Sequence, residues 1–449
     1  MKKTSNKEKR TVPFGQLLAW QTRAISLGAI TIIIAYFSLY CTDTLGMRPA
    51  IVGTLLMASK FVDGFTDLVA GYLVDNTHTR LGKARPYEIS IIFAWIFTVL
   101  LFSTSPQWSN IIKSVWIFAM YTLIFSVFST FLNAAESPYI IRAFGDKEAV
   151  TKVSALGGLI VTIGCMVVSI SFPILMGKLA ISASGWRQLI LIYALPLIII
   201  GLLRFIFVKE KYDAEGDSEH VSFKDMFKML RNNPYAWCMA GENGATQFVI
   251  GLGAATYYFT WVVGDIGKYS IIQMLAVVSL LVMLVFPIII NKKSANFLVF
   301  ICAIAGIIGY AVNFFAGSNM PVLVIAACLT AVSALPVSYL RSVLIMDISK
   351  YNQWKGLPPM ESTASALANF FGKVFTALGS FILGIMLEFG GYNGSLNVQS
   401  DSAMMMIRIL YSIIPMIAMI VMVICSVVYR SLDKQLPQIE VDLAKRETK

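Results

Sequence analysis

Residues 60–71 read KFVDGFTDLVAG, and they set Lys60, Asp63 and Asp67 among phenylalanines, valines and leucines. The surrounding run, roughly 49–75, is otherwise almost wholly apolar and long enough to cross the hydrocarbon core of a bilayer as an α-helix. A charge in hydrocarbon costs at least about 2.5 kcal/mol, so ionisable residues there face the bundle interior, find partners, and mark ion or substrate paths. The rest of the chain has the same character. It holds 449 residues, 57% hydrophobic and only 14% charged, against about 25% charged in ordinary globular domains.

Twelve apolar segments are predicted, at 17–42, 49–75, 87–106, 112–141, 153–177 and 187–208, then 235–263, 270–290, 296–316, 320–347, 361–388 and 404–430. None carries the strand-length alternation of a β-barrel. The longest polar stretch between segments, KEKYDAEGDSEHVSFKDMFKMLRNN at 209–233, divides them six and six. The expected class is an all-α membrane protein of twelve transmembrane helices in two six-helix halves. Its parts are a basic tail at 1–16, a first half at 17–208, a central loop at 209–233, a second half at 234–430 and a tail at 431–449. Placing both termini in the cytoplasm leaves only Arg48, Lys113, Lys178, Arg187, Lys268 and Arg408 on the outer side, as the bias of inner loops toward Lys and Arg requires. The net charge of +11 then answers to an anionic inner leaflet, with no need of nucleic acid.

The six cysteines, Cys41, Cys165, Cys238, Cys302, Cys328 and Cys425, lack the clustered spacing of a zinc or disulfide site. No phosphate-binding loop is present, so uphill transport is expected to draw on an ion gradient. The basic N-terminus runs into a segment longer than the apolar core of a signal peptide.

Charges inside the segments carry the chemistry. Lys60, Asp63 and Asp67 fall at i, i+3 and i+7, on one helix face, with Thr66 beside them. Two carboxylates in a dry site bind a hard cation such as Na⁺ through oxygen, or share a proton. The plainer reading is a salt-bridge cluster that only fixes packing, but two acids against one base leave a surplus negative charge. Lys373, in ANFFGKVFTALG, is either a packing counter-ion or a tethered cation competing with the mobile one. Glu136, in NAAESPYIIRAF ahead of Pro138, suits hydroxyl recognition or the ion site. Arg204 and Arg341, near their segments' inner ends, are expected to snorkel, and Arg23 reads either way. Tyr257, Tyr258 and Trp261 suit stacking on a sugar, or anchoring at the membrane interface.

The run YCTDTLGMRPAIVGTLLMASKFVDGFTDLVAGYLVDNTHTRLGKARPYEI resembles helices 1 to 3 of the glycoside–pentoside–hexuronide:cation symporters, within the major facilitator superfamily. AESPYIIRAFGDKE, YYFTWVVGD, IMDISKYNQWKG and ESTASALANFFGKVFTALGSFILG continue the likeness in order. The resemblance implies that Asp63 and Asp67 are the coupling-cation carboxylates (sodium ligands, if sodium is the ion) and Lys60 the base beside them. It puts Thr66 where a well-known member has a cation-site asparagine, and Lys373 at the helix 11 lysine. Glu136 takes the place of a helix 4 acid used in sugar binding, and DNTHTRLGKARP that of the loop acting as an inter-helix latch. The chain departs from that member in having no acid within 17–42, Ile140 instead of an aromatic, and no clean counterpart of a helix 5 arginine, Lys152 being nearest.

The expectation is a transporter rather than an enzyme, without cofactor, coupling Na⁺ or H⁺ to the symport of a sugar or glycoside by alternating access. Its solute would be a glycoside, pentoside or hexuronide, and its setting a bacterial-type inner membrane with lipid around it and no obligate protein partner. An ion-coupled exporter or antiporter of another metabolite is the alternative, and a transport-dead sensor a third.

Overall fold

The computed structural model describes residues 13–145, 147–211, 231, 233–275, 293–357 and 361–447, with 282, 285, 286 and 289. Most of the loop expected at 209–233 and of the segment expected at 270–290 lies outside that description, as do the side chains of Asp67 and Lys152. The described residues form helices and no strand. In chain order these are α1 (Phe14–Thr44), α2 (Pro49–Asp75), α3 (Ser90–Leu101), α4 (Asn110–Phe144), α5 (Lys147–Leu179) and α6 (Ala183–Phe207). There follow α7 (Pro234–Leu252), α8 (Tyr269–Met274), α9 (Ala295–Ala316), α10 (Met320–Val337), α11 (Glu361–Phe389) and α12 (Asp401–Arg446), with a further helix, Arg341–Trp354, between α10 and α11. Eight of the described helices are long and apolar enough to cross a membrane.

Local chemistry sets the helix ends. Ser109, Ser182, Asn233, Ser294, Asn319 and Ser400 each accept a backbone N–H of the first turn that follows. Such a cap is worth about 1 kcal/mol. Gly145 stops α4 at φ 67°, a left-handed conformation open to glycine at little cost.

Two compact units emerge. One contains Met1–Tyr40 with Phe61–Asp217, and the other Cys41–Lys60 with Ser218–Lys449. The end of α1 and the start of α2 thus belong with the second unit.

In the first unit, α1 packs on α5 and α6 through small and polar residues. Ser26 donates to Leu197 O at 2.7 Å and accepts from Trp95 Nε1 at 2.9 Å, while Gln21 donates to Val153 O at 3.1 Å. Between buried helices such bonds answer polar groups that lipid cannot satisfy. The loop after α2 is clasped by Glu210, whose carboxylate accepts the backbone N–H groups of Lys83, Ala84 and Arg85 at 2.9, 2.8 and 2.7 Å. Arg85 in turn donates to Phe205 O.

In the second unit, α7 lies against α11 at a spacing only glycine permits. A Cβ on Gly251 would meet Thr376 O at 2.1 Å, and one on Gly379 would meet Phe248 O at 2.4 Å. The first turns of α2 meet α11 similarly: a Cβ on Gly384 would lie 2.4 Å from Pro49 O. Glu388 at the end of α11 closes that contact by pairing with Arg48 and accepting Ala50 N–H at 3.1 Å.

Candidate functional site

Among the described residues, three helical segments widen into a π-turn, and each π-turn sits beside a residue with chemistry. A π-turn leaves one residue out of the i→i+4 ladder and is enriched at functional sites. The first covers Tyr40–Thr44 and carries α1 two residues beyond the end expected at 42. Asp43 therefore lies in the helix, one residue past the stretch 17–42 that is free of acids. Its carboxylate accepts from Tyr392, from Thr42 at 2.7 Å and from Trp261 Nε1 at 3.2 Å. Trp261 belongs to another π-turn, Tyr258–Val262, and also donates to Tyr392 Oη at 2.7 Å. Tyr257 is buried and shares a hydrogen bond with Thr42 at 3.1 Å. Tyr258 is spoken for: it is fully buried, stacks on Tyr411 at 4.2 Å and donates to Gly317 O at 2.8 Å. Its ring has no free face for a solute here.

The remaining π-turn, Leu123–Ser129, interrupts α4 and leads into Thr130. Thr130 Oγ1 then lies 3.5 Å from Asp63 Oδ1. Asp63 is 4% exposed, a carboxylate in the interior of the first unit. Thr66, one helical turn on, is half-buried and donates to Asp63 O at 3.1 Å, which leaves its lone pairs unspent by that bond. Asp67 is on the same helix, with its side chain outside the described ones. Lys60, one turn before Asp63 in α2, and Lys373, in α11, are half-buried.

The densest charge in the first unit is a box of two arginines and two glutamates drawn from four places in the chain. Arg204 of α6 donates to Glu136 Oε2 at 2.7 Å, and Arg23 of α1 pairs with that same oxygen. Glu88, in the turn opening α3, lies 3.7 Å from Arg23 and 3.5 Å from Arg204. Trp20 and Tyr139 close the box, the guanidinium carbon of Arg204 lying 3.3 Å and 4.8 Å from their ring centroids. Arg204 and Glu88 side chains are 0% exposed, whereas that of Glu136 is 38% exposed. Arg204 therefore does not snorkel. It is held inside because two carboxylates and two aromatic faces solvate it better than a reach to the headgroups would. Glu88 went unmarked in the sequence because it sits at a segment edge, where an acid is ordinary.

With this geometry in hand, the relatives fall into place. The family described as MFS/sugar transport protein matches residues 25–433. The isoprimeverose transporter of Lactiplantibacillus pentosus is 27% identical over 98% of this chain and 93% of its own. The glucuronide carrier protein homolog of Escherichia coli (strain K12) is 25% identical, covering 96% and 97%. Among solved structures, a bacterial homologue of the human lysosomal transporter Spinster superposes with a TM-score of 0.66 at 14% identity, over 96% of this chain and 99% of that one. That likeness establishes the fold alone. The chain has the all-helical major facilitator fold, acts as a transporter rather than an enzyme, and belongs to the MFS/sugar transport family of glycoside–pentoside–hexuronide symporters.

Proposed function

We propose that this chain is a cation-coupled symporter of a small neutral glycoside, working in a plasma membrane with both termini on the cytoplasmic side. Glu136 carries the reading. One of its oxygens, Oε2, takes both arginines of the box, and over a third of its side chain is exposed, with Oε1 left as an acceptor for sugar hydroxyls. The two arginines are already balanced by two glutamates, so an acidic sugar finds no unspent cation in the box, whereas a hydroxyl needs only an acceptor. The relatives named for isoprimeverose and glucuronide support a sugar-like solute.

Asp63 and Asp67 would ligate the coupling ion, Na⁺ or a proton, with Thr66 as a neutral oxygen. Lys60 and Lys373 would hold the charge balance when the ion leaves. Trp261, half-buried, would meet the solute through the part of its ring that its bonds to Asp43 and Tyr392 leave open, whereas Tyr257, 1% exposed, would hold Thr42 and the Asp43 cluster in place.

The test is binding of purified protein to a panel of neutral glycosides and uronates, with and without Na⁺, for the wild type and Glu136→Gln. Charge-assisted bonds to hydroxyls are worth about 1.5–3 kcal/mol, so Glu136→Gln should lose at least about tenfold in affinity for the neutral ligand. Cation affinity should hold. Binding confined to uronates, or a Glu136→Gln protein with wild-type affinity, overturns the assignment.

A further inference from the structure

A carboxyl that none of this chemistry uses lies in the second unit. Glu242 stands nine residues into α7, roughly 12 Å along the helix at about 1.5 Å per residue. It is 0% exposed, and neither of its carboxyl oxygens has a hydrogen-bond donor among the described residues. Its neighbours spend their donors elsewhere. Thr246 donates to the backbone carbonyl of Glu242 at 3.2 Å, and Asn243 donates to Ala368 O of α11 at 2.6 Å.

Among the described residues, the charge that acts on it is another acid. On α7 itself the titratable neighbour is Cys238, and on α12 they are Cys425, Tyr429 and Asp433, of which Asp433 acts on Glu242 as a like charge. Tyr429 is buried and donates to Leu344 O at 3.3 Å. Asp347, in the helix Arg341–Trp354, is a further acid that acts on Tyr429. From α11 the face toward α7 is built of Ala368, Gly372 and Phe375. Lys373 follows Gly372 in that helix, and neither Glu242 oxygen takes a hydrogen bond from it.

An isolated carboxylate taken from water into such a site costs several kcal/mol, and the cost disappears when the group is neutral. We infer that Glu242 is a proton-binding site of the second unit: in this conformation it carries a proton, and it gives that proton up to water when α7 and α12 move apart. The second unit then holds its own ionisable carboxyl, separate from the aspartates of α2, and the transport cycle is proton-linked whichever ion fills the α2 site. Only that role in the cycle rests on the symport reading; the bound proton stands on the burial and the missing donors.

The experiment reads the proton without any solute. Infrared difference spectra of purified protein in lipid are recorded across neutral to alkaline pH, following the C=O stretch of protonated carboxylic acids. The wild type should show a protonated-acid band that Glu242→Gln removes and Asp63→Asn with Asp67→Asn retains. Dicyclohexylcarbodiimide, which attacks protonated carboxyls in apolar surroundings, should label the peptide carrying Glu242 in the wild type. Glu242→Gln mimics the neutral acid and should fold with wild-type thermal stability. Identical spectra for wild type and Glu242→Gln at every pH, with no carbodiimide adduct on Glu242, overturn the inference. Neither readout depends on sugar flux, so a failed sugar assay leaves this result standing, and a failed spectrum leaves the symport reading standing.

Discussion

Glu88→Gln is the sharpest perturbation of the charge box, because it removes one charge and almost no volume. Glu88 lies 3.5 Å from Arg204 and 3.7 Å from Arg23. At an effective dielectric of about 20, each arm is worth roughly 4.5 kcal/mol of attraction. Part of that returns when the buried carboxylate no longer has to be stripped of water, but two guanidinium groups would then face the single carboxylate of Glu136. Breaking one partner out of a buried ion-pair network costs about 3–5 kcal/mol net, and that is the expected loss. Removing Arg204 as well, in Glu88→Gln with Arg204→Met, restores a one-to-one pairing of Arg23 with Glu136. The double variant should therefore be about 2 kcal/mol more stable than the sum of the single effects predicts. Cys41, Cys238 and Cys302 are buried, so a thiol-reactive dye reports unfolding of detergent-solubilised protein in a denaturant titration. A Glu88→Gln protein within about 0.5 kcal/mol of wild type, or strictly additive effects in the double variant, would refute the box as an energetic unit.

Asp63→Asn and Asp67→Asn should each abolish gradient-driven accumulation while sparing part of the solute binding; normal uphill uptake in vesicles of both variants would remove them from the ion site. Lys373→Ala should damage net uphill uptake more than exchange at saturating ion on both sides, because competition between tethered and mobile cations is a coupling free energy. Equal loss of the two, in a folded variant, would leave Lys373 a packing counter-ion. Asp43→Ala strips the acceptor from Tyr392, Thr42 and Trp261, and lost hydrogen bonds of about 1 kcal/mol each should speed maleimide labelling of the adjacent, fully buried Cys41 by at least about tenfold. That assay uses a protein whose other cysteines are replaced, and an unchanged rate would show that the Asp43 cluster does not hold the end of α1.

Much of the architecture is written locally. Apolar runs of membrane-spanning length, serine and asparagine caps, and the polar break near 209–233 are properties of neighbouring residues, so they are legible without the fold. The α2 carboxylates announced themselves for the same reason: an acid amid a long apolar run is anomalous wherever the helix ends up. Asp43 and Glu242 show where that reading stopped short. Asp43 falls one residue past the apolar segment read from hydropathy, because a π-turn, not an ordinary α-turn, carries α1 to Thr44, and no simple residue pattern marks a π-turn. Glu242 sits inside the segment expected at 235–263 with the same anomaly as Asp63, yet without a second acid or base on its own face to draw the eye.

What only the tertiary structure decided is which charge meets which. Arg204 and Glu136 are 68 residues apart in the chain, and Tyr392 reaches Asp43 across 349. Segment by segment, an arginine near a helix end looks free to reach the headgroups. Only with α1, α3, α4 and α6 assembled is it clear that Arg204 lies between Glu88, Glu136, Trp20 and Tyr139. The physical reason is one of range. Hydrophobic length and capping are set within a few residues, whereas the energy of a buried charge is set by whatever partners the fold carries to within about 4 Å of it.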